Sequence, residues 1–413
     1  METGLSALGR LKETERTEYW ASLALRHTPH LGARSIRRLL GYFGSAHEAI
    51  QRVESWPEAE VDLRRAVGLR NDSWRSTARP EWDAAQQLPG SILLWTDPAY
   101  PPLLRELPDA PLMLYALGNV RLLAGPCLAV VGKRQCSPEG LRSATYFASS
   151  LAEAGVTIVS GLARGVDQAA HRAALGKPGG TIAVLGTGVD IPYPKGAEDL
   201  YQALREQDLI VSEFAPGTLP APANFPIRNR IISGLSLGVL VTEAAPRSGS
   251  LITARLALEQ NRSVYAVPGA LGAQKSQGCQ ELIRQGAKSA FAASDIIEDM
   301  FPHLRDALAD MQPPSDPDQT PTPLAEDAAL PKAPSKTPAI KPAAPLPHFP
   351  EHSPEARLLA VLTGTQALSI DTLDDALDLT VGELSALLTR LEIRGLIRKL
   401  PGQYYMLAEV AHA

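Results

Sequence analysis

Residues suited to binding phosphate recur just after short apolar runs in this sequence of 413 residues. Glycines let the backbone approach a phosphate closely, serine hydroxyls add neutral donors, and arginines add forked charged donors. The candidates are mostly of these types, with one asparagine and one phenylalanine among them: Gly132, Lys133, Arg134, Lys195, Phe225, Arg228, Asn229, Arg230, Ser248, Gly249 and Ser250. A line of such loops could hold several successive phosphates of a nucleic acid strand.

Each of these segments also has a simpler interpretation. The segment 132–134 fits an ordinary strand-to-helix turn, and the segment 160–167 fits a turn that caps a helix. Phe225 could stack on an unpaired base, or it could pack against a helix start as a hydrophobic staple. Arg228 and Arg230 lie on opposite sides of a helix if their segment is helical, so both reach one ligand only from an irregular helix start.

The chain is negative overall, but one stretch of it is positive. Its formal net charge is −5, which argues mildly against a protein that coats duplex DNA. The stretch 224–262, however, holds five arginines, including Arg247 beside Ser248, against Glu243 and Glu259. A positively charged site on an acidic protein is therefore expected.

Few residues support catalysis or cofactor binding. The sequence lacks the dinucleotide motif G-x-G-x-x-G and the P-loop. His171 is a candidate base near the loops, and four carboxylates could converge on a metal, although capping of helices is the favoured role: Asp167, Asp190, Glu213 and Glu243. We therefore expect no catalytic residue, no metal and no cofactor.

The cysteines and the hydropathy indicate the compartment. Cys127, Cys136 and Cys279 lack the spacing of metal ligands, and such scattered cysteines are typical of a reducing cytosol. No apolar run approaches the roughly 18 residues that a membrane span needs, and the N-terminus lacks a signal-peptide core. We expect a cytoplasmic protein without membrane contact.

Alternating strands and helices in the middle of the chain would position the candidate loops. Eight short apolar runs predict strands covered on both faces: 92–95, 112–117, 128–131, 157–159, 182–185, 209–211, 239–242 and 264–267. Ser137 before Pro138 predicts a helix start. The alternation predicts an α/β fold with an extended Rossmann-like, doubly wound, mostly parallel sheet, in which ligands bind at the carboxyl ends of the strands.

Four regions are predicted along the chain. Residues 1–85 form short helices like those of a SAM or helix-hairpin-helix domain, with packing favoured over phosphate binding as their role. Residues 86–305 form the Rossmann-like, DNA-binding domain, and residues 306–351 form a linker, because the stretch 311–350 contains twelve of the 35 prolines. Residues 352–413 form a winged helix.

The predicted winged helix is acidic. It has helices near 354–363, 369–377 and 380–394, followed by a hairpin that turns at Pro401 and Gly402. Eight acidic residues outnumber five basic ones in this region, which is unfavourable for contact with phosphates. A structural or protein-contact role is favoured over DNA binding.

These segments together resemble the DprA/Smf family of DNA-processing proteins. The matching segments occur in order: DPAYP (97–101), VGKR (131–134), SGLARGVD (160–167), LGTGVD (185–190), FPIRNRII (225–232), SGSLITA (248–254), VPG (267–269) and LIRQGA (282–287). Two positions depart from the family pattern, since Lys133 replaces a usual serine or threonine, and Gln280-Glu281 replaces a usual asparagine.

The resemblance implies a homodimeric protein, not known as an enzyme, that binds single-stranded DNA. Such proteins protect incoming strands in natural transformation and load RecA onto them, including strands covered by single-strand-binding protein. The resemblance assigns DNA binding to Arg134, to the loop of Phe225, Arg228, Asn229 and Arg230, and to Ser248, Gly249 and Ser250. It places the dimer and RecA surface around the last core helix, at Glu281, Leu282, Ile283 and Phe291.

Two other hypotheses remain open at this point. One is a Rossmann-like enzyme that binds or hydrolyses nucleotides, for which Glu243 or Asp167 would be the acid. The other is an interaction scaffold that works through the acidic winged helix.

Overall fold

The computed structural model describes residues 6–246, 248–269 and 274–300, and parts of the C-terminal region: Leu358, Leu362, Leu368–Ser369, Leu387, Leu388, Leu391, Ile397–Leu400 and Tyr404–Leu407. These residues fall into two units on either side of residue 322. The expected linker at 306–351 lies outside the described residues, and the domain boundaries stay predictions. Within the described ranges, no helix has both the length and the hydropathy of a membrane span.

A nine-stranded sheet forms the centre of the first unit, in the order β1-β2-β6-β5-β4-β3-β7-β8-β9. The strands are β1 (Ser91–Leu94), β2 (Met113–Gly118), β3 (Cys127–Val131), β4 (Thr157–Ser160), β5 (Thr181–Val184), β6 (Leu209–Ser212), β7 (Gly238–Val241), β8 (Ser263–Ala266) and β9 (Lys288–Ser289). Pairing from β6 to β9 across the sheet is parallel, whereas β2 pairs antiparallel with β1 and β6. The predicted mostly parallel α/β sheet is confirmed, with all eight predicted strands.

The strands β1 to β8 are mostly apolar because helices cover both faces of the sheet. In β3, Leu128 and Val130 belong to one hydrophobic core, while Ala129 and Val131 belong to the other. The helices that follow β1 are α7 (Pro102–Arg105), α8 (Pro138–Glu153), α9 (Val166–Ala174), α10 (Glu198–Gln207), α11 (Asn224–Leu235), α12 (Ser250–Glu259), α13 (Gln277–Arg284) and α14 (Ala293–Met300). As predicted, α8 begins with Ser137 as its N-cap and Pro138 in its first turn.

Short helices make up the N-terminal region, which confirms that part of the prediction. They are α1 (Ala7–Arg10), α2 (Glu13–His27), α3 (Ala33–Phe43), α4 (Ala46–Gln51), α5 (Val67–Arg70) and α6 (Arg75–Gln87). A buried network joins them to the sheet, since the hydroxyl of Tyr115 on β2 bonds to Tyr19 at 2.9 Å and to Glu81 at 2.5 Å. The likeness to a SAM or helix-hairpin-helix domain stays a prediction.

The described part of the second unit contains a three-stranded antiparallel sheet, in the order β10-β12-β11. Its strands are β10 (Leu368–Ser369), β11 (Ile397–Leu400) and β12 (Tyr404–Leu407). The pair β11 and β12 is the predicted hairpin. Ser369, where a helix was expected to begin, lies in a strand instead, because it pairs with Tyr404.

Candidate nucleic-acid interface

Two adjoining cavities lie at the carboxyl ends of the parallel strands. The first, of about 450 Å³, is lined by the loop after β3, by α11 and by the segment before α12, including Lys133, Arg134, Asn229 and Ser248–Ser250. The second, of about 690 Å³, is lined by the loops after β4 and β5, including Arg164, Tyr193 and Lys195. Arg134, Phe225 and Arg228 line both, and we call the two cavities together the groove.

Glycines allow the groove loops to pack closely on one another. Gly165 has a φ of +81°, and a Cβ atom there would lie 2.5 Å from the carbonyl oxygens of Lys133 and Arg134. A Cβ atom on Gly132 would lie 2.7 Å from the side chain of Val166. Residues with larger side chains would push the loop after β3 away from the start of α9. The cationic segment 132–134 is therefore held against the helix.

Phe225 lines both cavities. Its ring lies over Gly186, where a Cβ atom would approach the ring to 2.9 Å. The ring of Tyr193 lies 5.3 Å from the Phe225 ring, at an interplanar angle of 33°. The guanidinium carbon of Arg134 lies 5.8 Å from the centre of the Phe225 ring. Phe225 thus forms a half-buried aromatic wall beside a cation, which is the arrangement of sites that stack unpaired bases.

Cations line the groove: Arg134, Arg164 and Lys195 are exposed, and Lys133 is half-buried. Lys133, Arg134, Arg164 and Lys195 all line it, and within the described ranges none of them forms an ion pair with a carboxylate. Arg164 donates a hydrogen bond to the backbone carbonyl of Lys195 at 3.3 Å, which joins the loops after β4 and β5. Arg247 lies outside the described residues. The groove therefore has a positive potential, although the chain is negative overall.

The hydroxyl cluster before α12 completes the first cavity. The side-chain oxygens of Ser248 and Ser250 lie 2.8 Å apart, and Gly249 is the N-cap of α12 without a side-chain cap. The amides of Leu251 and Ile252 in the first turn donate to the carbonyls of Ser248 and Gly249, both at 3.1 Å, so the serine hydroxyls are the donors that this segment offers to an anion. Asn229 lines the same cavity from α11.

Arg228 is buried beneath the groove. Its side chain exposes 4% of its surface, and Nη1 donates to the carbonyl of Gly161 at 2.7 Å and to that of Val184. These carbonyls lie at the ends of β4 and β5. Burial lowers the pKa of Arg228 to about 10, opposed by the carboxylate of Asp167. The guanidinium therefore ties two loop ends together, whereas the sequence suggested a phosphate ligand.

Arg230 does not face the groove, because α11 is helical from Asn224 and places it on the other side of the helix from Arg228. It forms ion pairs with Glu213 and, at 3.4 Å, with Asp109. It lines a separate cavity of about 260 Å³ against the N-terminal helices. The expectation that Arg134, Arg228 and Arg230 share one groove is therefore wrong for Arg230.

Carboxylates near the groove hold its loops. Glu243 accepts hydrogen bonds from the backbone N–H of Ser137 at 3.1 Å and from its hydroxyl, which fixes the start of α8. Asp167 accepts from the amides of Gly161 and Ala163 at 3.2 and 3.3 Å, and burial raises its pKa to about 6. Asp190 accepts from the amide of Gly217 at 2.8 Å, and Glu213 bonds Arg230. In the described ranges no cluster of His, Cys, Asp and Glu fits a metal.

His171 is buried and neutral. Its Nε2 accepts the backbone N–H of Leu162 at 3.3 Å, so Nδ1 carries the hydrogen and donates to the hydroxyl of Thr181 at 2.7 Å. Burial lowers the pKa of His171 to about 3. The ring does not line either cavity of the groove, so its contacts give it a structural role.

Sequence reasoning assigned no binding role to Arg164 and Tyr193. Both lie in segments that follow parallel strands, and this position at the sheet edge is the signal that could have identified them. The segment Ser160–Asp167 also fits a plain turn, so its sequence gives no reason to single out Arg164 as a binding residue.

The four residues of the expected dimer surface differ in exposure. Phe291 exposes 71% of its surface, and Glu281 is exposed and bonded to Arg284 at 2.8 Å. Ile283 is half-buried, and Leu282 exposes 9% and packs in the core. The side chain of Leu282 therefore packs toward the sheet and is not available to a partner.

Two family models match the chain. The model described as DNA recombination-mediator protein A matches residues 91–301, and the model described as DprA winged helix domain matches residues 341–403. The second match confirms the expected winged helix.

Curated relatives match over large parts of their length. DNA processing protein DprA of Streptococcus pneumoniae is 46% identical over 51% of this chain and 74% of its own. Protein Smf of Escherichia coli is 41% identical over 76% of each chain, and protein Smf of Synechocystis is 37% identical over 78% of this chain and 81% of its own.

A solved structure agrees with these matches. The X-ray structure of DNA processing protein A from Streptococcus pneumoniae aligns with a TM-score of 0.60 at 36% identity. The alignment covers 68% of this chain and 97% of that one.

Proposed function

Because the chain belongs to the DprA/Smf family of DNA-processing proteins, we propose that it binds single-stranded DNA in the groove and loads RecA onto the bound strand. The proposed roles are in natural transformation and in DNA repair. The recombination-mediator description of the matching family supports this proposal.

One observation carries the proposal: several cations and a half-buried aromatic ring line one continuous groove. Lys133, Arg134, Arg164 and Lys195 supply positive charge along both cavities, and the hydroxyls of Ser248 and Ser250 add hydrogen-bond donors. Such a surface attracts the phosphates of any nucleic acid. Phe225 adds a face on which a base can stack.

The aromatic wall favours a single strand over a duplex. In duplex DNA the faces of the bases are covered by their stacked neighbours, so they cannot contact the Phe225 ring until the strands are separated. In a single strand the bases turn freely toward the wall while the phosphates contact the cations.

Anisotropy titrations with labelled oligonucleotides test the proposal. The full-length protein is titrated against oligo-dT and against a duplex of the same length, at one salt concentration. Oligo-dT is expected to bind more tightly, and Arg134→Ala is expected to weaken it. Arg121→Ala is the matched control, because this exposed arginine precedes β3 at its amino end, away from the groove. Equal affinity for both DNAs would reject selective single-strand binding.

RecA loading is tested on strands covered by single-strand-binding protein. RecA hydrolyses ATP when it forms a filament on DNA, so the lag before hydrolysis reports loading. We expect this protein to shorten the lag and Arg134→Ala to restore it. If wild-type protein leaves the lag unchanged, RecA loading is rejected and the function is DNA binding alone.

We also infer a homodimer through the surface near α13. The high exposure of Phe291 supports an apolar contact there. Light scattering should give a dimer mass for the wild type and a monomer mass for Phe291→Glu. Tyr42→Glu, at another ring that is 53% exposed, is the control and should remain dimeric. A monomeric wild type would reject the homodimer.

We infer a non-enzymatic, cytoplasmic role. Glu243 is occupied at the start of α8, and Asp167 holds backbone amides, so neither carboxylate is placed as a free acid for nucleotide hydrolysis. Incubation with nucleoside monophosphates should release no base. Base release that Glu243→Gln abolishes would favour the nucleotide enzyme instead.

A further inference from the structure

An uncharged loop borders the cationic groove. Residues 214–223, which we call the proline loop, lie between β6 and α11 and contain no charged side chain. Pro220 of this loop lines the second cavity, and Leu219 beside it exposes 70% of its surface. We propose that Leu219 packs against the last base pair of a duplex whose unpaired tail lies in the groove, so that the protein recognises the junction between single-stranded and double-stranded DNA. This contact rests on the proposed single-strand binding and adds a second form of DNA to it.

Hydrogen bonds and prolines hold the proline loop in place. The amide of Gly217 donates to the carboxylate of Asp190 at 2.8 Å, and the amide of Gly188 donates to the carbonyl of Thr218 at 2.9 Å. Three residues of the loop have a φ angle that their rings fix: Pro216, Pro220 and Pro222. Leu219 therefore extends into solvent from a backbone that is fixed on both sides, and little conformational entropy is lost when a partner covers it.

The lack of charge in the proline loop indicates which part of DNA it fits. Phosphates are attracted by the cations of the groove, whereas an uncharged surface gains free energy by covering apolar atoms. The apolar parts of DNA are the faces of the bases, and leucine and proline side chains pack on such faces in other DNA-binding proteins. Inside a duplex both faces of each base pair are covered by neighbours, but the last pair has one open face. Leu219 therefore fits the end of a duplex.

The position of the proline loop matches the path of a strand in the groove. Pro220 and the cations Arg134, Arg164 and Lys195 line the same cavity. Nucleotides that leave this cavity across Pro220 reach Leu219 next, because the two residues are adjacent in the chain. A strand that is single inside the groove and paired beyond it thus presents its first base pair to Leu219.

The unpaired tail is what brings the duplex end to Leu219. A tail held in the groove raises the effective concentration of the attached duplex end at the proline loop. A blunt duplex has the same end face but no tail, so contact with Leu219 alone gives it little affinity. The duplex-end contact therefore adds to single-strand binding and depends on it.

Tailed duplexes test the duplex-end contact. Full-length wild-type protein, Leu219→Ala and Leu258→Ala are titrated with oligo-dT and with the same oligo-dT extended by a duplex, once at its 5′ end and once at its 3′ end. Leu258 is the matched control, since it is 57% exposed at the opposite end of α12 from the groove. Covering the exposed part of one leucine predicts that one tailed duplex binds wild type about 5-fold to 30-fold more tightly than oligo-dT does. Leu219→Ala should lose this gain and keep its affinity for oligo-dT, whereas Leu258→Ala should keep both.

Two further comparisons separate packing on a base pair from attraction of the added phosphates. Leu219→Ala should keep the wild-type slope of log affinity against log salt for the tailed duplex, since it removes no charge. Leu219→Met, which keeps an apolar side chain of similar volume, should retain the gain, and Leu219→Ser should lose it. Urea unfolding should give the same stability for these variants as for wild type, because the side chain is exposed.

The possible failures are distinct. If wild-type protein binds both tailed duplexes no more tightly than oligo-dT, or if Leu219→Ala keeps the gain, the duplex-end contact is wrong and single-strand binding stands. If Leu219→Ala weakens oligo-dT and the tailed duplex to the same degree, Leu219 contacts the single strand and the junction proposal is also wrong. If wild-type protein binds neither oligo-dT nor a tailed duplex, the proposed function itself fails, and the duplex-end contact fails with it.

Discussion

Arg134 and Arg228 both line the groove, and replacing each one should separate the effect of charge from the effect of structure. Arg134 is exposed beside Phe225, whereas Arg228 exposes 4% of its surface and bonds two backbone carbonyls. Arg134→Ala should therefore remove a phosphate contact. Arg228→Gln should loosen the loops after β4 and β5 without removing one.

The salt dependence of binding gives the magnitude. For a single strand, each neutralised phosphate contributes about 0.7 to the slope of log affinity against log salt, so Lys133, Arg134, Arg164 and Lys195 predict about −2.8 for wild type. Arg134→Ala should reduce the slope to about −2.1. Between about 0.1 and 0.4 M salt, wild-type affinity should fall about 50-fold and that of Arg134→Ala about 18-fold.

Arg228→Gln should keep the slope near −2.8, even though its affinity falls. It should also lower the free energy of unfolding by about 1.5–3 kcal/mol, the usual contribution of a hydrogen bond to a charged group. Anisotropy titrations with oligo-dT at four or more salt concentrations, and urea unfolding, measure both effects. Arg121→Ala should match wild type in slope. If Arg228→Gln reduces the slope as much as Arg134→Ala does, Arg228 binds phosphate directly and its assignment as a loop tie is wrong.

Three further predictions concern residues outside the groove or beneath it. Because burial lowers the pKa of His171 to about 3 from 6.5, stability from its neutral form is full above pH 6.5 and is lost as the pH falls toward 3. From pH 7 to 5, wild-type protein should thus lose about 2 kcal/mol more unfolding free energy than His171→Gln, and an equal loss in both would contradict the neutral buried ring. Arg230→Met should lower the unfolding free energy by breaking the pair with Glu213 and leave the salt slope for oligo-dT unchanged; a smaller slope would return Arg230 to the DNA site. Removal of residues 311–413 should keep the affinity for oligo-dT within about twofold, and loss of binding would assign DNA contact to the winged helix.

The sheet could be predicted because its signal is local and redundant. Each buried strand from β1 to β8 is a short apolar run, and packing between two layers of helices requires that composition. The strand β9 was missed, since its two residues, Lys288 and Ser289, carry no apolar pattern and join the sheet through pairing with β8. Pairing at an edge depends on tertiary structure, which the sequence of two residues does not encode.

The site was predicted less completely than the fold, because side-chain direction decides it. The sequence placed Arg134, Phe225 and Ser248–Ser250 at one edge of the sheet, and the groove brings them together. It could not show that Arg228 is buried, since a buried arginine and an exposed one have the same local sequence. The reason for Arg230 is simpler. The helix already begins at Asn224, so Arg230, two residues after Arg228, lies on the opposite side of the helix and faces away from the groove.

The central claim is that the cations and the aromatic wall of one groove hold an unpaired strand. A competition titration tests it most directly: labelled oligo-dT bound to full-length protein is displaced by unlabelled oligo-dT or by unlabelled duplex of equal length. We expect the single strand to displace the labelled oligo-dT at a much lower concentration than the duplex does. We also expect Arg134→Ala to bind the labelled oligo-dT weakly. Displacement by both at the same concentration, or full binding by Arg134→Ala, would contradict it.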